Sequence, residues 1–262
     1  MTDRKVLIGY NRTVRLAWLD CAADMVAAKR SEKDIVDALR NVLKDELSVG
    51  SEAKRGSREK TITILLKTWS RVPPSLKDFR DRGIDLWARS TGGNRLTLHW
   101  GMTLAAYPFV GAVAEIVGRL LRLQGQVVAS QVQRRVREVF GQRETAARSA
   151  RYVFRAFVDW GVLREGEHAG VYTQGKTFTV SDPRIVVWLV EAVMHANRNN
   201  TLSLKAIREL PVLFPFLLRD IPPPQFAESG VIEVVRHGLD DDLLMFSKYP
   251  KREITKGKGQ NA

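Results

Sequence analysis

Apolar residues recur along most of this chain at the three-and-four spacing of one helix face. In NRTVRLAWLDCAADMVAAKR (11–30), Val14, Trp18, Cys21 and Met25 share such a face. SEKDIVDALRNVLKDEL follows, with Ser31 as a candidate N-cap, Asp34 three residues on, and Ile35, Leu39, Val42, Leu43 and Leu47 as the apolar stripe. SVGSEAKRGSREK reads as a loop made basic by Lys54, Arg55, Arg58 and Lys60, which face either solvent or phosphate. TITILLKTW reads as a strand or a helix, and RVPPSLKDFRDRGIDLWARS as a Pro-initiated helix. TGGN is a loop. The longest apolar stretch, LTLHWGMTLAAYPFVGAVAEIVGRLL, contains His99, Pro108 and Glu115. Pro108 should break it into two helices, so it reads as a pair of buried core helices and no membrane crossing is expected.

The next stretch, VVASQVQRRVREVFGQRETAARSARYVFRAFVDWGVLREGEHAGVYTQ, is the most organised. Ser130 can cap a short helix with Val132, Val136 and Val139 inward, and Gly141 in FGQ suits a tight turn. A longer helix then runs from Glu144 to Trp160 and ends at Gly161. VLRE and VYTQ, around GEHAG, read as two short strands. Helix, turn, longer helix and hairpin, in that order, is the grammar of a winged helix-turn-helix. Farther on, Asp182 before Pro183 opens the helix PRIVVWLVEAVMHANR, Ser203 can cap LKAIREL, and DIPPPQF reads as a hinge. GVIEVVRHG and LLMFSK flank LDDD as a second hairpin, and KYPKREITKGKGQNA reads as a disordered basic tail. The predicted fold class is therefore mainly α. A helical N-terminal bundle (1–125) precedes a winged helix-turn-helix (126–181), a small α+β region with a wing-like hairpin (182–247) and the tail (248–262).

Charge sharpens this picture. The 262 residues carry 42 Lys and Arg against 29 Asp and Glu, a net charge of +13, which favours a polyanionic partner such as nucleic acid or an anionic membrane surface. Arg148, Arg151 and Arg155 fall within a stripe about 60° wide on the longer helix, opposite Ala146, Ala150, Val153 and Phe157. Arg134, Arg135 and Arg137 extend from the preceding helix, and Arg143 lies at the turn. Guanidinium groups suit bidentate contact with phosphate or guanine. A solvated face is the alternative, with Glu144 and Asp159 at helical spacing, but two acids cannot neutralise those six helix arginines. In the wing, His168 and Tyr172 are candidate DNA contacts or parts of a plain surface hairpin. Tyr152, Phe154, Phe157 and Trp160, interleaved with the arginines, read as core rather than a stacking platform.

Recognisable catalytic chemistry is missing from the pattern. Cys21 stands alone, so no internal disulfide forms, which suits a reducing cytoplasm, and the N-terminal residues lack a secretory apolar run. His99, His168, His195 and His237 are scattered; His99, in an apolar helix, reads as a satisfied packing residue. LDDD falls in a predicted turn, where acidic residues are common, and TGGN and GQRE lack the strand–loop–helix setting of a phosphate loop. No catalytic residue, metal ligand or cofactor site is expected.

LHWGMTLAAYPFVGAVAEIVGRLLRLQG, QVQRRVREVFGQRETAARSARYVFRAFVDWGVL and GVIEVVRHGLDDDLL together resemble the BrxA family of BREX phage-defence systems, in the order of elements over 95–247. The resemblance implies a helical N-terminal part similar to the NusB antitermination fold, followed by winged-helix elements. It also implies a non-catalytic, cytoplasmic, double-stranded-DNA-binding component of a defence locus, with other defence proteins as further partners. A winged-helix transcriptional regulator and an RNA-binding or protein-bridging helical scaffold are the two other classes compatible with the residues.

Overall fold

The structure, a computed structural model, describes residues 8–47, 56–142, 144–197, 201–237 and 241–247. The tail 248–262, together with Lys54, Arg55, Arg143 and Asp240, lies outside the described residues. The helices of the first half are α1 (Leu16–Ala27), α2 (Glu32–Val42), α3 (Ser57–Trp69), α4 (Lys77–Trp87), α5 (Gly93–Ala106) and α6 (Pro108–Gln124). There follow β1 (Gln126–Val128), α7 (Ala129–Phe140), α8 (Glu144–Asp159), β2 (Leu163–Glu165), β3 (Val171–Gln174) and β4 (Phe178–Val180). The remainder is α9 (Pro183–Ala196), β5 (Thr201–Ser203), β6 (Phe216–Leu218), α10 (Pro223–Glu228), β7 (Ile232–His237) and β8 (Asp241–Phe246).

Local chemistry explains many of these boundaries. Ser31 and Asp34 form a reciprocal capping box at the start of α2. Asp182 accepts the Arg184 amide to open α9, with Pro183 at its first position. Proline at 108 ends α5 and starts α6 with a bend of 117°, and no single helix among the described residues is long and apolar enough to cross a membrane. Both helices are core elements: α5 is buried from Leu96 through Ala105. It lies against α9, where Gly83 of α4 and Gly101 of α5 leave room for the Trp188 ring. That ring stacks on Phe79 at 4.4 Å, and its Nε1 donates to the Phe79 carbonyl. The apolar core is continuous from Tyr10 to Leu244, with Trp100 of α5 stacked on Phe157 of α8 at 4.8 Å.

Three small sheets complete the architecture. β1, β3 and β2 form an antiparallel sheet in that order, with Val127 opposite Tyr172 and Glu165 opposite Tyr172 on its other side. β4 and β6 pair in parallel. β5, β8 and β7 are antiparallel; β7 and β8 pair as the expected second hairpin, but Asp241 and Asp242 are the first residues of β8, opposite His237 and Arg236, and not turn residues.

One open alternative is decided and several expectations change. TITILLKTW is helical, within α3; Thr61 and Thr68 return their hydroxyls to the carbonyls of Ser57 and Ile64, so these β-branched residues are satisfied inside a buried helix. Ser130 does not cap α7. The helix starts one residue earlier, where the Ala129 amide donates to the carbonyl of Gly170 in the β2–β3 loop. Val139 points outward at 65% exposure, and Val42 is exposed on α2. LKAIREL is not an α-helix: Ser203 is held in β5 opposite Leu243, and Pro211 leaves room only for the 3-10 turn Ile207–Glu209. DIPPPQF contains the start of α10, fixed by buried Phe226, rather than a plain hinge.

Candidate nucleic-acid interface

Helix α8 divides along its length as its periodicity requires. Ala146, Ala147, Ser149, Ala150, Val153, Phe154, Ala156 and Phe157 are buried, whereas Arg148, Arg151 and Arg155 are exposed. The inner face is anchored by an aromatic cluster in which Trp100 meets Phe157, Trp160, Phe214 and Phe216. Trp160 Nε1 also donates to the Val14 carbonyl at 3.0 Å. The outer face is thus a rigid row, with the arginines set by a packed helix.

Arg148, Arg151 and Arg155 line a shallow groove of about 350 Å³ together with Tyr152. Tyr152 is half-buried, so of the four aromatics expected in the core it alone borders the arginine face; Phe154, Phe157 and Trp160 are buried. Among the described residues no carboxylate pairs with any of the three arginines. Asp159, at helical spacing from Arg155, instead accepts the Leu16 amide at 2.9 Å and holds the first turn of α1. Like-charged neighbours three and four apart on a helix repel. Such a row is relieved by an external polyanion.

The other sequence-derived candidates are dispersed. Arg134 and Arg135 are exposed and Arg137 half-buried on α7. Helical geometry spreads them over about 160° of the circumference, so they do not form one row. Arg134 also lies 3.9 Å from Glu138, an acid that the count of Glu144 and Asp159 alone leaves out. Arg143 lies outside the described residues. His168 is exposed in the β2–β3 loop. Tyr172, in β3, is half-buried and its ring packs on Phe154 of α8 at 5.2 Å.

One further cation reaches the groove. The Arg12 guanidinium lies over the Tyr152 ring, 5.8 Å from its centroid. Periodicity could not reveal it, because Arg12 is brought to α8 only by tertiary packing. Comparison with protein-family models, curated proteins and solved structures gives no match to the chain.

Proposed function

We propose that this protein binds double-stranded DNA with α8 as the recognition helix of a winged helix-turn-helix. The unneutralised arginine row on the outer face of α8 carries this reading. The order α6–β1–α7–α8–β2–β3, with a β1–β3–β2 antiparallel sheet, supports it: a first helix, a strand, two helices joined by a short turn, and a two-stranded wing. Gly141, at a φ of 81°, makes the turn between α7 and α8. The protein's place is that of a non-catalytic accessory component of a BREX-type defence system, a reading supported by the resemblance to the BrxA family. Arginine contacts to phosphate and guanine, with the net charge of +13, make the binding electrostatic and largely tolerant of sequence.

The test is titration of a labelled duplex across low to moderate salt, with single-stranded DNA and RNA as competitors. Replacing Arg148, Arg151 and Arg155 together with alanine should abolish most duplex binding while the protein stays folded. Parental binding by that variant, or stronger competition by RNA, overturns the reading. A second reading, a ligand-responsive winged-helix regulator, has one observation in its favour. A cavity of about 490 Å³ lies beside α10, with Val186, Ile207 and Phe226 as an apolar floor and Lys205 and Arg219 among its lining residues.

A further inference from the structure

Arg12 belongs to the helical N-terminal half, yet its guanidinium rests on the ring that borders the arginine groove of α8. Its Nε donates to Ser57 Oγ at 3.1 Å and Nη1 to the Asn11 carbonyl at 2.6 Å. Both acceptors are neutral, and no carboxylate among the described residues pairs with it. Its neighbours differ. Arg15 is neutralised by Glu46 at 2.6 Å, and Arg58 is turned to the carbonyls of Lys44 and Leu47. Of these three arginines, Arg15 is neutralised by an acid and Arg58 is occupied by backbone carbonyls of its own half, and Arg12 is the one that meets α8.

The segment carrying Arg12 is also fixed in place. Leu16 donates its amide to Asp159 at the far end of α8, and the Val14 carbonyl accepts from Trp160. Val14 is fully buried. Arg12 is therefore presented from a pinned segment, which lowers the ordering cost of a contact. Tyr152 sits at the margin of the arginine stripe, about 40° from Arg148 around the helix. Arg12 consequently flanks the row instead of prolonging it.

We infer that Arg12 grips a backbone phosphate beside the groove that α8 enters, so that the N-terminal half forms part of the DNA interface. This rests on the reading of α8 as the DNA-facing helix. The footprint then comprises two elements distant in sequence: the α8 row, and a cation delivered by the chain before α1 and steadied by Ser57 at the start of α3. A phosphate is the appropriate ligand because Arg12 spends Nε and one Nη1 hydrogen on neutral acceptors within the protein and keeps its charge uncompensated. The second Nη1 hydrogen and both Nη2 hydrogens remain for an acceptor with charge.

The experiment compares full-length Arg12→Ala, Arg12→Lys and Arg30→Ala with the parent and with the triple α8 variant, on one duplex of arbitrary sequence. Melting temperatures establish that each variant is folded. Arg12→Ala should weaken binding several-fold at low salt and reduce the slope of log affinity against log salt by about 0.9, the share of one phosphate. Arg12→Lys should restore most of that slope. Arg30→Ala, an equal loss of charge at an exposed position remote in sequence from α8, should bind as the parent does. If Arg12→Ala keeps the parental slope while the triple variant loses binding, this inference fails and the α8 reading stands. If Arg12→Ala and Arg30→Ala weaken binding equally, the effect is net charge and the inference also fails. If the triple variant binds like the parent, both fall together. Should Arg12→Ala melt early, Arg12→Gln, which retains a donor for Ser57, replaces it with the same expected slope change.

Discussion

His99 is wholly enclosed, and both ring nitrogens are used. Nδ1 accepts from Trp69 Nε1 at 3.0 Å, leaving Nε2 to donate to Asp20 at 3.0 Å. Burial holds its pKa below the ordinary 6.5, outweighing the opposing pull of Asp20. The unfolded chain therefore takes up this proton at a higher pH than the folded one does. Stability is full above the unfolded value and declines as pH falls from about 6.5 toward the lower folded value. Urea midpoints should drop between about pH 8 and about pH 5.5, above the range in which most carboxylates titrate. His99→Gln should lower stability throughout and flatten that dependence; an unflattened curve would assign the dependence to another group. The two faces of α8 give a second residue-scale expectation. Phe157→Ala should cost about 3–5 kcal/mol, because a fully buried ring stacked on Trp100 is deleted. Arg151→Ala, on the exposed side, should cost less than about 1 kcal/mol. Thermal melts that rank the two in the opposite order would mean that the inner and outer faces are exchanged.

Elements whose boundaries are set locally were readable from residue order. The α8 faces follow from apolar spacing, the α2 start from Ser31 and Asp34, and the α5–α6 break from Pro108. Elements whose boundaries depend on distant partners were not. The first amide of α7 is satisfied by Gly170 across the sheet, and Ser203 is drawn into β5 by pairing with β8. The candidate site divides in the same way: its arginine row is a local pattern, whereas Arg12 arrives through Leu16–Asp159 and Trp160–Val14 contacts that no spacing rule encodes. Helix α6 supplies the element-scale prediction. It crosses the 3-10 turn Pro211–Leu213 so closely at Gly118 that an added Cβ would run into the Pro211 carbonyl. Backbone cannot swing aside as a side chain can, so Gly118→Ala should destabilise by at least about 1–3 kcal/mol, the usual cost of overpacking. Gly141→Ala, where a Cβ would meet nothing, tests a different quantity, the cost of the positive φ alone. Melting temperatures of the pair should separate steric from conformational strain, and a neutral Gly118→Ala would show that the α6 crossing is looser than described.

At the scale of the molecule, one continuous core ties the arginine-bearing helix to the bundle before it and to α9 after it. A load on α8 is therefore shared across the described core, as the proposed role of bringing DNA to partner proteins would require. The acidic LDDD stretch is the natural objection, since clustered aspartates can hold a divalent ion. Asp241 accepts from Ser203 Oγ at 2.7 Å, and Asp242 faces Arg236 at 3.6 Å, so both already serve the hairpin. Purified protein incubated with supercoiled plasmid and magnesium should thus leave the plasmid intact. Nicking that disappears when Asp240–Asp242 are changed to asparagine would overturn the proposed accessory role and make this hairpin a nuclease site. The complementary measurement is made in cells. Arg148, Arg151 and Arg155 changed together to alanine at the native locus should impair the protein's biological activity while the protein remains folded at its normal level. Because these side chains are exposed and contribute little to the core, loss of function without loss of protein would separate binding from stability. Full activity in that strain, together with parental duplex binding in vitro, would mean that the row faces water or another protein.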